Sequence, residues 1–159
     1  MKPTEIAAWW GAIVATLIFA WDIFKWKRSG AIISINASPN MKTFGGVPDG
    51  LENKTLIVVE ATNIGNQKTT ITHMVGFHYK NLFSKLTDKK DLSFFVPNPA
   101  PSSPLPYILG PGERWLGCME QNQELEEKSR DGYLYCGIYH SCGKKPILQR
   151  VIVQEEKNT

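Results

Sequence analysis

Two hydrophobic patterns divide the chain, and the first is a nearly unbroken apolar run close to its start. From Ile6 to Phe24 there are 19 residues, of which only Asp22 is charged. As an α-helix this run spans about 28 Å, close to the thickness of the hydrocarbon core of a bilayer. The pattern predicts a transmembrane helix, with residues 1–28 as a single-pass N-terminal membrane anchor.

Tryptophans at both ends of the run support this interpretation. Trp9 and Trp10 stand near one end, and Trp21 and Trp26 near the other, as expected for indole rings at the two headgroup layers. The alternative of a helix buried in a protein core would not explain tryptophans at both ends. A cleaved signal peptide has a shorter apolar stretch and a small-residue cleavage site after it, and neither is found in this sequence.

Cations beside the run predict its orientation. Lys25, Lys27 and Arg28 follow its carboxyl end, whereas Lys2 and the terminal amine precede it. Because positively charged flanks stay in the cytoplasm, we expect the amino terminus outside and the C-terminal domain cytoplasmic. The odd number of three cysteines agrees with a reducing compartment. The alternative is an envelope-facing domain in which Cys118 pairs with Cys136.

After Gly30 the hydrophobic pattern has period two, which is typical of β-strands with one buried face. The predicted strands are IISINA (32–37), TLIVVEATNIG (55–65), TTITHMVGFHY (69–79), LSFFV (92–96), RWLGCM (114–119), YLYCGIYH (133–140) and ILQRVIV (147–153). In the third, alternation places Ile71 on the same face as Val75 and Phe77. Seven short strands without long helical patterns between them predict a mainly β protein, with an antiparallel immunoglobulin-like β-sandwich over residues 31–155.

Two connections have their own predicted form. The polar NQELEEKS (122–129) predicts one short helix. The proline-rich VPNPAPSSPLP (96–106) predicts an extended crossing loop, because proline has no N–H to donate to a strand ladder.

Several motifs resemble those of known bacterial proteins. VEATNIG (59–65) with TTIT (69–72), and LGPGE (109–113), resemble turns of bacterial immunoglobulin-like modules. The whole chain is similar to a group of uncharacterised small bacterial membrane-anchored proteins. Its shared motifs are W-D-x-x-K-W-K, T-N-I-G, F-x-P-N-P and P-G-E-x-W, here at 21–27, 62–65, 95–99 and 111–115. The resemblance implies the anchor in a bacterial inner membrane and the sandwich, but no activity.

Charge and candidate chemistry narrow the function classes. The formal net charge of +3 is too small to indicate a nucleic-acid-binding protein. Neither a nucleophile elbow nor a phosphate-binding glycine loop occurs in the sequence, so we expect no enzyme activity and no cofactor. Cys136, His140 and Cys142 resemble a zinc set, but the first two stand about 13 Å apart in a regular strand. A turn near His140 would be needed for zinc; a disulfide is a second alternative, and unpaired thiols are favoured.

Two surface patterns are candidate interaction sites. Small residues recur every four positions along the anchor and would let another membrane helix approach closely, allowing a homo-oligomer: Ala8, Ala12, Thr16 and Ala20. The segment YKNLFSKLTDKK (79–90) interleaves cations with aromatic residues and predicts a partner or lipid surface: Lys80, Phe83, Lys85, Lys89 and Lys90.

Together these features favour a membrane-tethered, non-enzymatic protein-binding module on the inner face of a bacterial membrane. We expect membrane lipid and another protein as partners, and the loops at 43–50 and 98–106 are further candidate surfaces. The alternative is a self-associating membrane effector, such as a toxin or defence component, whose sandwich domain controls assembly.

Overall fold

The structure is a computed structural model that describes residues 3–43 and 50–153, and within them all side chains except those of Ile6, Lys27 and Arg28. Most of the predicted loop at 43–50 and the last two residues of the predicted domain at 31–155 therefore lie outside the described residues. The first element is helix α1, Pro3–Arg28, which ends at the predicted residue. It is long and apolar enough to cross a membrane, and its apolar stretch is not buried against the rest of the protein.

Within the described residues, eight strands and two short helices follow α1. They are β1 Ile33–Met41, β2 Leu56–Asn63, β3 Thr69–Tyr79, α2 Leu82–Leu86, β4 Leu92–Val96, β5 Tyr107–Leu109, β6 Arg114–Glu120, α3 Gln123–Asp131, β7 Tyr133–His140 and β8 Ile147–Val151. All seven predicted strands are confirmed, as are the helix expected at 122–129 and the strand-free loop after β4. Helix α2 and strand β5 were not predicted, because each is too short to show a period.

The strands form two antiparallel sheets. The first has the order β1-β2-β6, and the second has the order β4-β3-β7-β8, with β5 next to the other half of β3. Every strand pairing within these two sheets is antiparallel. The mainly β, antiparallel fold expected from the period-two pattern is thus confirmed.

Both sheets contribute to one buried apolar cluster. Its larger members are Ile57, Val59, Trp115 and Met119 from the first sheet and Ile71, Met74, Leu134 and Ile138 from the second. Trp115 heads the fully buried side chains by volume, and its indole Nε1 donates a hydrogen bond of 3.1 Å to the Ser103 carbonyl oxygen. This bond attaches the proline-rich loop to the core. Burial of each such side chain stabilises the fold by about 1.5–3 kcal/mol.

The prediction that Ile71, Val75 and Phe77 share one face of β3 is wrong. Its register against β7 shifts between Ile71 and His73. One extra residue in a strand reverses the face on which every later side chain lies. Ile71 therefore belongs to the shared core, whereas Val75 and Phe77 form a second cluster on the opposite side of the sheet.

The two turn motifs that resemble immunoglobulin-like modules are bonded to each other. Asn63 donates its backbone N–H to the Glu113 carbonyl oxygen and accepts from the Gly112 N–H, at 3.0 and 2.8 Å. The buried Asn63 side chain accepts from the Gly65 N–H at 3.0 Å and donates to the carbonyls of Gln67 and Leu109 at 2.7 and 3.1 Å. The T-N-I-G and P-G-E sequences thus build one end of the β domain.

Candidate functional site

The second sheet has an aromatic outer face, on the side away from the shared core. After the shift in β3, the odd-numbered residues of β3 and β7 point to this side. The buried members are Val75, Phe77, Tyr79 and Tyr135, with Tyr133, Tyr139 and Leu148 half-buried around them. The rings of Tyr79 and Tyr135 meet edge to face with their centroids 5.9 Å apart, a favoured aromatic geometry.

Lysine side chains lie over these rings. Lys85 Nζ is 4.1 Å from the centroid of the Tyr135 ring and donates a hydrogen bond of 2.8 Å to the hydroxyl of that residue. Helix α2 holds Lys85 in place, because Asn81 caps its start by accepting from the Ser84 N–H at 2.7 Å. Lys90 Nζ lies 4.6 Å from the centroid of the Phe77 ring. Cation–π contacts keep both ammonium groups on the aromatic face.

Asp88 is the acidic group of this site, and it is already bonded. Its carboxylate accepts from the Tyr79 hydroxyl at 3.1 Å and from Lys90 Nζ at 3.3 Å. The hydrogen bond from Lys90 is the main reason that the pKa of Asp88 lies below its ordinary value. Burial, followed by the bond to Asp88, raises the pKa of Tyr79 to about 12, so the phenol stays a neutral donor at physiological pH.

A groove of about 400 Å³ runs along this face. We call it the lysine–tyrosine groove, and its lining is Phe77, Tyr79, Lys85, Leu86, Asp88, Lys90, Tyr139, Lys144, Lys145, Pro146 and Leu148. Lys144 and Lys145 come from the β7–β8 connection and are exposed. Four ammonium groups therefore surround an aromatic floor, together with the Asp88 carboxylate, which is paired with Lys90. This arrangement suits an anionic ligand with some apolar surface.

The predicted basic–aromatic residues are only partly brought together. Lys85 and Lys90 line the groove. Lys80 lies outside the lining and pairs with Asp91, with its Nζ 3.2 Å from Oδ1. Phe83 and Lys89 are exposed and are not part of the lining.

The predicted anchor residues all lie on α1. Trp9, Trp10, Trp21, Trp26 and Lys25 are exposed on it. The positions of Lys27 and Arg28 are in its last turn. The small residues Ala8, Ala12, Thr16 and Ala20 are exposed along the helix, and the Thr16 hydroxyl donates a hydrogen bond of 2.8 Å to the Ala12 carbonyl oxygen.

A buried histidine was not singled out by sequence reasoning. His78 is fully buried, and its Nδ1 lies 3.1 Å from Asp91 Oδ2. Within the part of the chain that the structure describes, its Nε2 is a buried nitrogen with no hydrogen-bond partner. A Cβ on Gly132 would lie 2.5 Å from this nitrogen, so the Gly132 backbone packs closely against the ring.

All three cysteines are free thiols: Cys136 is buried, Cys118 is half-buried and Cys142 is exposed. Strand β7 ends at His140, so Cys142 lies in the following turn instead of sharing the strand face of Cys136. Among residues 3–43 and 50–153, no group of three or more His, Cys, Asp and Glu side chains is arranged to hold a metal ion.

Comparisons with known proteins return no relative for this chain. No protein-family model, curated protein or solved structure matches it.

Proposed function

We propose that this protein is a membrane-tethered, non-enzymatic binding module that holds an acidic segment of another protein in the lysine–tyrosine groove. Helix α1 is the anchor, the two sheets form an immunoglobulin-like sandwich, and the domain lies on the cytoplasmic side of a bacterial inner membrane. The groove carries the proposal, because its four lysines and aromatic floor form a recognition surface for an anionic ligand.

Charge and shape support an acidic protein segment as the ligand. Lys144 and Lys145 are exposed at the edge of the groove, where they attract carboxylates from solution. Tyr139 and Leu148 offer half-buried apolar surface for the rest of the bound segment. Tyrosine and phenylalanine are enriched at the centres of protein interfaces, so the aromatic floor of the groove suits contact with another protein.

The position of Lys85 and Lys90 supports a protein partner over the lipid of the anchoring membrane. The backbone N–H of Gly30, two residues after α1, donates to Asn66 Oδ1 at 3.0 Å, so the chain next to Thr69 lies at the anchor. Strand β3 then runs from Thr69 to Tyr79, about 33 Å at 3.3 Å per residue. Lys85 and Lys90, near Tyr79, thus lie about one strand length from the end of β3 that is at the anchor. The β7–β8 connection, which carries Lys144 and Lys145, begins at the anchor end, because the Ser141 N–H donates to the Thr70 carbonyl oxygen at 2.9 Å.

Photo-crosslinking in living cells tests the proposal. A benzoyl-phenylalanine at position 139, inside the groove, is expected to form an adduct with a partner protein in the full-length chain. The matched control carries the same residue at position 116, because Leu116 is 54% exposed on the first sheet. The adduct at 139 is expected to disappear when Lys144→Glu and Lys145→Glu are combined, since the groove then repels an acidic ligand.

Two results would refute the proposal. One is equal adducts from positions 139 and 116, which would mean that contact is unspecific. The other is an adduct at 139 that survives both charge reversals, or whose crosslinked peptide carries no acidic residues.

A further inference from the structure

We infer that the turn between β2 and β3 is a second membrane contact, in which Ile32 and Ile64 enter the lipid headgroup layer beside the anchor. This inference rests on the membrane anchor of the proposed function and is independent of the groove. It assigns a lipid-binding role to the end of the β domain, at residues 30–32 and 64–68.

Hydrogen bonds fix that turn to the chain leaving the anchor. Gly30 exchanges two bonds with Asn66: its N–H donates to Oδ1 at 3.0 Å, and its carbonyl oxygen accepts from the Asn66 N–H at 3.1 Å. The Ile64 N–H donates to the Ile32 carbonyl oxygen at 2.8 Å. Three bonds over so few residues leave no free linker between the helix and the domain.

Close packing at Gly65 confirms how tightly the two segments meet. A Cβ on Gly65 would collide with the carbonyl oxygen of Gly30 and the amide nitrogen of Ile32. Only glycine fits where two backbones approach so closely. The turn therefore stays against the chain that leaves the helix.

Helix geometry places this contact among the headgroups. The candidate membrane span runs from Pro3 to Trp26, and Gly30 lies four residues past it, about 6 Å along the helix axis at 1.5 Å per residue. The headgroup layer on each side of that core is about 5–8 Å thick. Gly30 therefore lies at that level, and the turn bonded to it lies there too.

The exposed surface of the turn suits this environment. The side chains of Ile64 and Ile32 are 65% and 45% exposed, although their backbones are bonded to each other. A cleft of about 600 Å³ joins the turn to the end of the helix, lined by Trp21, Phe24, Lys25, Trp26, Ser29 and Asn66. The apolar surface of the anchor is thus continuous with the turn, and the exposed Lys68 adds a cation for anionic headgroups.

Fluorescence depth measurement on the full chain tests the inference. The protein, with Cys118→Ser and Cys142→Ser, is reconstituted into vesicles of phosphatidylcholine and labelled with an environment-sensitive NBD dye. These vesicles carry no net charge to attract the lysines of the groove that Leu86 lines. The labelled variants are Ile64→Cys in the turn, Val14→Cys in the middle of the anchor and Leu86→Cys. Leu86 is the matched control, because it is 85% exposed and lies past the other end of β3.

We expect the emission maximum of the dye at position 64 to lie at a shorter wavelength than that of the dye at position 86. A lipid carrying a nitroxide near its headgroup should quench the dye at position 64 several-fold more strongly than the dye at position 86. Position 14 reports on the anchor alone. If the dye at position 14 is in lipid and the dye at position 64 has the same emission and quenching as the dye at position 86, the membrane contact of the turn is refuted while the anchor stands. If 14 is itself in water, both the anchor and this inference are refuted.

Discussion

The imidazole of His78 and the carboxylate of Asp91 form a hydrogen bond of 3.1 Å that fastens the end of β3 to the residue before β4. A backbone bond of 2.9 Å, from the Asp91 N–H to the His78 carbonyl oxygen, runs beside it. Lys128 of α3 donates to the same carboxylate oxygen at 2.8 Å. Asp91 therefore links the second sheet to α3.

Replacement of Asp91 should change how stability depends on pH. The hydrogen bonds from Lys128 and Lys80 are the largest causes that hold the pKa of Asp91 far below its ordinary value of 3.8. A carboxyl group with a lowered folded-state pKa stabilises the fold above its unfolded pKa, and this contribution is lost as pH falls further. Asp91→Asn should therefore be less stable than the wild type at pH 7, and the difference should shrink below about pH 4.

Urea unfolding of the full chain in detergent, followed by circular dichroism at several pH values, measures this difference. Glu52→Gln is the control, because Glu52 is exposed in a loop and should leave the pH profile unchanged. A constant difference between Asp91→Asn and the wild type from pH 7 to pH 3 would contradict the ion-pair explanation.

Gly132→Ala should destabilise the protein by about 1–3 kcal/mol, because it overpacks a filled site. A Cβ at that position would lie 2.5 Å from His78 Nε2 and 2.5 Å from the Tyr79 carbonyl oxygen. The control is Gly30→Ala, where nothing lies within 4 Å of the added Cβ. Urea midpoints compare the two variants, and equal midpoints would show that the space around His78 is not closed.

Asn63→Ala should cost about 2–4 kcal/mol, because three hydrogen bonds of a buried amide are lost together. These bonds hold the turn at Gly65 and the strand end at Leu109. Asn36→Ala is the matched control, since Asn36 is exposed on β1. A loss below about 1 kcal/mol relative to that control would mean that the T-N-I-G motif does not organise the turn.

The three thiols should react with maleimide in a fixed order. Cys142 is exposed and should react first. Burial raises the pKa of Cys118 and raises that of Cys136 to about 12, and the thiolate is the reactive form. Mass spectrometry should therefore find Cys118 slower than Cys142, and Cys136 labelled only after unfolding. Fewer than three labels on the unfolded, unreduced protein would reveal a disulfide instead.

The strands could be predicted from sequence because the alternation of apolar and polar residues that indicates a strand is a local pattern. In β2, alternate positions such as Ile57 and Val59 are fully buried, as a period of two requires. Strand β3 matched its predicted limits, yet the face of Val75 was wrong. The register shift beside Thr72 arises from pairing with β7, a contact that no local pattern reveals.

Only two of the four lysines of the groove were singled out from the sequence. Lys85 and Lys90 stood out because they alternate with aromatic residues in one short segment. Lys144 and Lys145 reach the same groove from a connection more than fifty residues later in the chain. Pairing of β7 with β3 brings these two segments together, and composition carries no information about it. The signal that was present is the run of tyrosines at 133, 135 and 139, which alternation places on one strand face.

The bonds between Gly30 and Asn66 also limit how far the β domain can move from its anchor. A module on a flexible linker sweeps a wide volume, whereas the bonded turn leaves this domain no flexible linker. In the proposed function, an acidic segment would therefore be captured only where it reaches the groove within that restricted volume. The short connection would then select partners by how far they project from the same membrane.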